Sequence, residues 1–386
     1  MPGVSFGDNG GMTSASHSSA AAEPFEGLRI RGVAKTFGTD TTVLNEIDLD
    51  VHPGELISLV GSSGTGKSTL LRIIAGLEDP SAGRVTYAGQ PLERGSVGVV
   101  FQRPILYPHL SVKDNILFPT RLGAFAGRVD MDYYRELLEA LKLEGLEARK
   151  PSQLSGGQAQ RVGIARALIR RAPVVLFDEP LASVDEEMSA SIRADIVRLH
   201  ERYGFTGLYV THDQNEALML GQRVAVMDAG YLVQVDTPER LLAHPHTLQV
   251  AKLMAAPALN LVALEDSAVL PAGCELAIRA TALYPVAADA AHSLPVQVLG
   301  SRHLVGGMLY RARLLEAVSL PLESRRALAD SELSARMYAR VRAGQELEFF
   351  IPDAQGGTSL SVGDRVHLGV AAERCFLFSE GKRFYL

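Results

Sequence analysis

The run Gly61-Ser62-Ser63-Gly64-Thr65-Gly66-Lys67-Ser68 constrains this chain more than any other stretch. Its G-x-x-x-x-G-K-[ST] spacing has a physical purpose in one setting, the turn from a buried strand into a helix. Both flanks fit. Leu56 to Val60 is a continuous apolar run of strand length, and Leu70, Leu71, Ile73 and Ile74 follow at helical spacing before Gly76, a natural stop. Glycines let backbone N–H groups curl around phosphate oxygens, and the helix beginning near Lys67 points its positive end at the same charge. Gly61, Ser62, Ser63, Gly64, Thr65, Gly66 and Thr69 are the candidate phosphate-binding positions. Lys67 supplies a cation to the β and γ phosphates of a triphosphate, and Ser68 one oxygen to an octahedral magnesium ion.

A second apolar run, Val174 to Phe177, suits a central parallel strand and ends in Asp178-Glu179-Pro180. Ligand sites in such sheets lie beyond the carboxyl ends of the strands. Neighbouring strand residues face opposite ways, so the two acids have different tasks: Asp178 on magnesium, directly or through water, and Glu179 as general base for an attacking water. Ile192, Ile196, Leu199 and Tyr203 recur at helical spacing and Gly204 follows, which predicts a helix packed on the sheet. From Leu28 to about Gly221 the alternation of strand and helix patterns reads as an α/β domain with a parallel sheet.

At 386 residues the chain is long enough for two domains. Past about Ala256 the texture changes to short alternating runs, Leu309 to Leu315, Glu346 to Ile351 and Arg365 to Val370, interrupted by a helix or long loop over Pro321 to Arg336. The reading is a disordered Gly, Ser and Ala-rich tail over 1–26, an α/β domain over 27–256 and a smaller β-rich domain over 257–386. With 47% apolar and 21% charged residues and no apolar run of bilayer length, any membrane role is peripheral. A net charge of −6 without a basic stripe argues against nucleic acid as a partner. Cys274 and Cys375 are too few for a disulfide framework and read as small buried residues.

Leu154-Ser155-Gly156-Gly157-Gln158-Ala159-Gln160-Arg161 resembles the signature motif of ABC-type ATPases, at that family's usual place shortly before the acidic strand. Physically, Ser155 and two glycines ahead of a helix starting near Gln158 make a second anion-binding N-terminus. The resemblance implies that Ser155, Gly156, Gly157 and Gln158 meet the nucleotide only across a dimer, opposite the Lys67 loop of the other subunit. Other residues fall in the family's order. Phe37 resembles the aromatic that stacks on adenine, Gln102 the glutamine that touches magnesium and water and senses membrane subunits, and His212 the histidine that holds the γ-phosphate. Asp185, in Leu181-Ala182-Ser183-Val184-Asp185, resembles the aspartate loop joining the two sites, with Ala182 and Val184 departing from the commoner Ser-x-Leu-Asp.

Tyr107-Pro108-His109-Leu110-Ser111-Val112 is similar to the segment of maltose and glycerol-phosphate importer ATPases that receives a coupling helix. Ala258 to Leu261 and Ala372 to Phe378 resemble the entry and last strand of that family's regulatory barrel pair, an oligonucleotide-binding-like or TOBE domain. Where the family commonly has Arg-Pro-Glu, this chain has Arg279-Ala280-Thr281. The resemblance implies a homodimeric ATPase binding ATP and magnesium on the cytoplasmic face of the inner membrane. It would be contacted by permease subunits near Gln102 to Val112 and act indirectly with an extracytoplasmic solute-binding protein, for a carbohydrate or sugar phosphate. Importers of polyamines, sulfate and ferric iron share the architecture, and a non-transport ABC ATPase or an ATP-binding scaffold are the readings of another class.

Overall fold

The computed structural model describes residues 25–121, 129–265, 270, 274–322, 337–353, 359–371 and 374–384. The described residues begin with an antiparallel sheet in the order β2-β1-β4-β5, formed by β1 (Leu28–Phe37), β2 (Thr41–Val51), β4 (Ala82–Tyr87) and β5 (Gln90–Pro91). This corrects the expectation that the parallel sheet starts from Leu28. Leu28, Ile30, Leu49 and Val51 are buried on one face, and a two-sided pattern with a tight connection closes as a hairpin.

The second sheet has the order β10-β9-β3-β8-β7-β6, from β3 (Leu56–Val60), β6 (Gly98–Val100), β7 (Val174–Asp178), β8 (Thr206–Thr211), β9 (Arg223–Asp228) and β10 (Tyr231–Asp236). All neighbours are parallel except the β9-β10 pair. Its central strands are buried along their length, and alternate side chains enter opposite layers. Val174 and Leu176 pack with Ile57, Leu59 and the helix α1 (Lys67–Ile74), under the antiparallel sheet. Val175 and Phe177 pack on the other face with α3 (Met131–Ala140), α4 (Gly156–Leu168) and α5 (Glu186–Tyr203). Each aliphatic side chain moved from water into these layers contributes about 1.5–3 kcal/mol.

Helix α5 covers the predicted Ile192–Tyr203 segment and stops at Gly204, whose φ of 58° suits a residue without Cβ. Helix α4 starts at Gly156 rather than near Gln158, because Ser155 caps it: the Ser155 hydroxyl accepts from Gln158 N–H while the Gln158 side chain accepts from Ser155 N–H. Phe25, assigned to the tail, packs edge-on against His52 with the Arg29 guanidinium 4.6 Å from its ring centre. The rest of the expected tail, residues 1–24, lies outside the described residues.

After α6 (Gln214–Leu220), α7 (Pro238–Ala243) and α8 (Leu248–Leu253), no α-helix follows among the described residues, and strands make up the regular structure, with a 3-10 turn at Ala280–Ala282. One sheet joins β11 (Leu259–Ala263), β12 (Glu275–Arg279), β20 (Cys375–Ser379) and β21 (Lys382–Phe384), in that order. A five-stranded sheet has the order β13-β19-β14-β15-β18, from β13 (Leu283–Val286), β14 (Leu294–Leu304), β15 (Gly307–Leu314), β18 (Glu346–Pro352) and β19 (Arg365–Val370). The strands β16 (Val318–Leu322) and β17 (Met337–Val341) form a ribbon. Pro321 and Leu322, expected in a helix or loop, therefore end a strand, and residues 323–336 of that expectation lie outside the described residues. Buried Arg279 ties this part to the α/β part by donating to the backbone carbonyls of Leu242 and Met254.

Candidate functional site

Four parallel strands, β3, β8, β7 and β6, end side by side, with Val60 opposite Thr211, Val210 opposite Asp178, and Phe177 opposite Val100. The next residues are Gly61, His212, Glu179 and the Phe101-Gln102 step, so four segments singled out in the sequence meet along one rim.

The phosphate loop is shaped by its glycines. Gly66 has a φ of 98°, and a Cβ there would lie 2.7 Å from Leu44 Cδ2 and 2.8 Å from the Val43 carbonyl, so the loop runs against β2. Gly64, at a φ of 81°, has nothing within 4 Å of the place a Cβ would take. Ser62, Ser63 and Gly64 are exposed, while Gly61, Thr65 and Lys67 are buried and Ser68 and Thr69 half-buried. Lys67 Nζ donates to the carbonyls of Gly61 (2.7 Å) and Ser62 (2.8 Å), and Thr65 Oγ1 donates to Ser62 O (2.9 Å). Burial pushes the Lys67 ammonium down from 10.5, against the pull of Glu179 and Asp178.

Asp178 shares the strand face of Val174 and Leu176, which α1 covers, and so reaches the helix of the phosphate loop. Ser68 Oγ donates to its Oδ1 at 3.1 Å. Burial pushes the Asp178 carboxyl above 3.8, opposed by the Ser68 hydrogen bond and reinforced by the Glu179 charge. Two hard oxygen donors held side by side, the Ser68 hydroxyl and the Asp178 carboxylate, fit a magnesium ion. Glu179 leaves the strand at a φ of 44°, donates its N–H to Val210 O, and sets Oε2 3.0 Å from His212 Nδ1. His212 is the more exposed of the pair, at 55% against 22%.

Gln102 is exposed, in a segment pinned from two sides: Ser183 Oγ donates to its carbonyl at 3.2 Å, and Gln160 of α4 donates to Phe101 O at 3.1 Å. Phe37 lies at the end of β1, 44% exposed, with Lys35 Nζ 4.8 Å from its ring centre. Asp185 is exposed and caps α5, accepting from Met188 N–H at 2.9 Å.

Ser155 and Gly156 are exposed, but at the β6 edge of the sheet, where α4 packs so closely that a Cβ on Gly98 would be 2.4 Å from Ala167 O. The phosphate loop follows β3, three strand positions away from β6 in the sheet. Gly156 and Gly157 differ in kind. A Cβ on Gly156 would meet nothing, whereas one on Gly157 would lie 2.6 Å from Met188 Cγ, so only the second is needed for packing.

The structure also engages residues that sequence reasoning passed over. Fully buried Asp195 on α5 pairs with Arg161 (2.8 Å), Lys142 (3.5 Å) and Arg198, tying α4 to α5. Asn115, also fully buried, donates to the carbonyls of Tyr107, Leu110 and Ser111 and accepts from Tyr107 N–H, giving the Tyr107 to Ser111 loop its shape. Arg161 was legible only as the end of a motif, and Asn115 and Asp195 carry no local signal.

Residues 44–182 match the family described as ABC transporter. The chain is 44% identical over 241 residues to the sn-glycerol-3-phosphate import ATP-binding protein of Rhizobium johnstonii, covering 61% of this chain and 65% of that protein. It is 42% identical over 266 residues to the protein of the same description from Salmonella typhi, covering 66% of this chain and 74% of that one. Among solved structures, cbiO1 from Clostridium perfringens, part of the ABC transporter complex cbiONQ, superposes with a TM-score of 0.51 at 27% identity, over 57% of this chain and 92% of that one. A phosphate loop and signature helix on one P-loop scaffold, with 42% identity sustained over 74% of an import ATP-binding protein, settle the ancestry: the chain belongs to the ABC transporter family and is one of its import-type ATPases.

Proposed function

We propose that the chain works as a homodimer on the cytoplasmic face of the inner membrane, hydrolysing ATP to drive uptake of a carbohydrate or sugar phosphate through separate permease subunits. The observation that carries this reading is the shared rim of β3, β8, β7 and β6, where phosphate loop, His212, Asp178-Glu179 and Gln102 come together. The solute class follows the relatives named for sn-glycerol-3-phosphate import.

In this reading Phe37 stacks on adenine, and Gly61 to Thr69 wrap the phosphates with Lys67 on the β and γ groups. Glu179 takes a proton from water as the water oxygen bonds to the γ-phosphorus and the bond to the ADP oxygen breaks. His212 holds the γ-phosphate. Ser68, Asp178 and Gln102 would hold magnesium, which when bound offsets phosphate charge. Ser155, Gly156, Gly157 and Gln158 of one subunit close on the nucleotide of the other, and Asp185 joins the two sites. The two phosphate-binding segments of one chain, set three strand positions apart, are what a second subunit would bring together with their counterparts. The Tyr107 to Val112 loop receives the permease, and a solute-binding protein delivers cargo on the far side. Residues 27–256 form the ATPase domain, and 257–386 a regulatory domain of the oligonucleotide-binding-like kind.

The test is ATP turnover and oligomeric state of the purified chain beside Glu179→Gln. Cooperative turnover by the first, and an ATP-bound dimer without turnover by the second, are the expected results. Wild-type turnover in the variant would remove Glu179 from its role, and ATP binding without turnover in the natural chain would favour a regulatory scaffold.

A further inference from the structure

The His212 turn is enclosed by a ring of hydrogen bonds that none of the roles above uses. Thr211 Oγ1 accepts from Asp213 N–H at 3.0 Å, Asp213 Oδ1 accepts from Glu216 N–H at 2.9 Å, and Thr211 Oγ1 donates to Glu216 Oε2 at 2.8 Å. The ring closes through residues 211, 213 and 216 and leaves His212 projecting from it. Strand parity explains the arrangement. Thr211 shares the face of Tyr209, which looks toward α5, and Tyr209 also donates its hydroxyl to Glu216 Oε2, at 3.2 Å.

Glu216 is 8% exposed, and its other oxygen faces α5, where Arg193 NH1 is 3.7 Å away. Arg193 is itself held to Glu186, in the first turn after the Asp185 cap, at 3.0 Å. A polar cavity of about 120 Å³ lies between these groups, bounded by Glu179, Ala182, Arg193, Thr211 and His212. It lies between the segment carrying Glu179 and the ring, which meet at the His212 to Glu179 contact, while Arg193 spans from Glu216 of the ring to Glu186 on α5. A carboxylate with two hydroxyl donors and a guanidinium is too well connected to be filler in a wall.

We infer that Glu216 and Thr211 are positioning residues that fix His212 in register with Glu179, and that Arg193 links this ring to the helix capped by Asp185. The inference rests on the proposed role of His212. Through Arg193, a shift of the Asp185 loop on meeting a second subunit reaches the His212 turn without passing through the phosphate loop.

The experiment measures kcat and KM for magnesium ATP, ATP binding and thermal midpoint on the full chain. Thr211→Val removes the bridging hydroxyl at nearly constant volume, and Thr211→Ser keeps it. The expected result is a fall in kcat of about 10-fold to 100-fold in Thr211→Val with KM changed less than about 2-fold, and restored kcat in Thr211→Ser. Glu216→Gln should lower kcat in the same sense, and the double variant with Thr211→Val should be no slower than the slower single one. Wild-type kcat in Thr211→Val and Glu216→Gln, or multiplying losses in the double variant, would overturn the inference. So would a loss of kcat, affinity and midpoint together that Thr211→Ser fails to rescue. His212→Ala separates the layers: if it keeps wild-type turnover, the role of His212 falls, whereas if it loses turnover and Thr211→Val does not, only the ring's role falls.

Discussion

His212 Nδ1 sits 3.0 Å from Glu179 Oε2, across the ends of two adjacent strands, so the histidine and the acid of this site hold one another in place. A pair so joined should behave as a unit in kinetics.

Removing either member should lower kcat at least about 100-fold, and removing both should cost little more than the worse single change. Single-turnover phosphate release from Glu179→Gln, His212→Ala and the double variant checks this. Full multiplication of the two losses would mean independent roles.

The glycines at 156 and 157 should respond in opposite ways to a methyl group. Gly156→Ala meets open space on the first helical turn, so folding stability should hold or rise by up to about 1 kcal/mol. ATP turnover should nevertheless collapse, because the open space is where a nucleotide from the second subunit would come. Gly157→Ala drives a Cβ to 2.6 Å from Met188 and should cost about 1–3 kcal/mol in urea unfolding. Unimpaired turnover in Gly156→Ala would sink the trans arrangement.

Glu55 and Arg223 form a bidentate pair, at 2.6 and 2.9 Å, that fastens the start of β3 to β9. Burial pushes the Glu55 carboxyl up, but the Arg223 hydrogen bonds and the His52 N–H together outweigh it and hold it below its ordinary 4.5. A depressed carboxylate stabilises the fold above its unfolded value and loses that contribution as pH falls. Glu55→Gln should therefore cost about 3 kcal/mol at pH 7, the lower end of the range for a broken buried pair because Arg223 is 28% exposed. The gap to the natural chain should shrink below about pH 4.5. Urea midpoints measured from pH 7 down to pH 3.5 check both statements.

Asn115→Asp keeps the shape but turns three donated hydrogen bonds into carboxylate-to-carbonyl repulsion. The Tyr107 to Ser111 loop should then open, seen as faster amide exchange confined to that loop and α2 (Val112–Leu117), with a loss of about 2–4 kcal/mol. Unchanged exchange there would mean that the loop is held by other contacts.

The phosphate loop and the Asp178 strand were legible in the sequence because each is a local pattern whose meaning depends on its neighbours by a few residues. The Ile192 to Tyr203 part of α5 and its stop at Gly204 were legible for the same reason, but not its first turn or its Asp185 cap. What escaped notice depends on pairing across long separations. Alternation in Leu28 to Val51 fits a hairpin as well as an α/β unit, and only burial against α1 decides between them. The start of α4 lies two residues before the position that Gln158 suggests, because the Ser155 cap is set by a side chain to backbone exchange with Gln158. Thr211, Glu216 and Arg193 are unremarkable in sequence and become a network only when β8 lies against α5 and α6.

The position of β8 in the sheet has a consequence for how the molecule is made. It lies between β3 and β7, yet follows both along the chain. A growing polypeptide that has released the phosphate loop and both acids still lacks the strand that sets them side by side, so these parts remain apart until residue 211 has emerged. The rim is therefore completed by the last made of the four strands that form it.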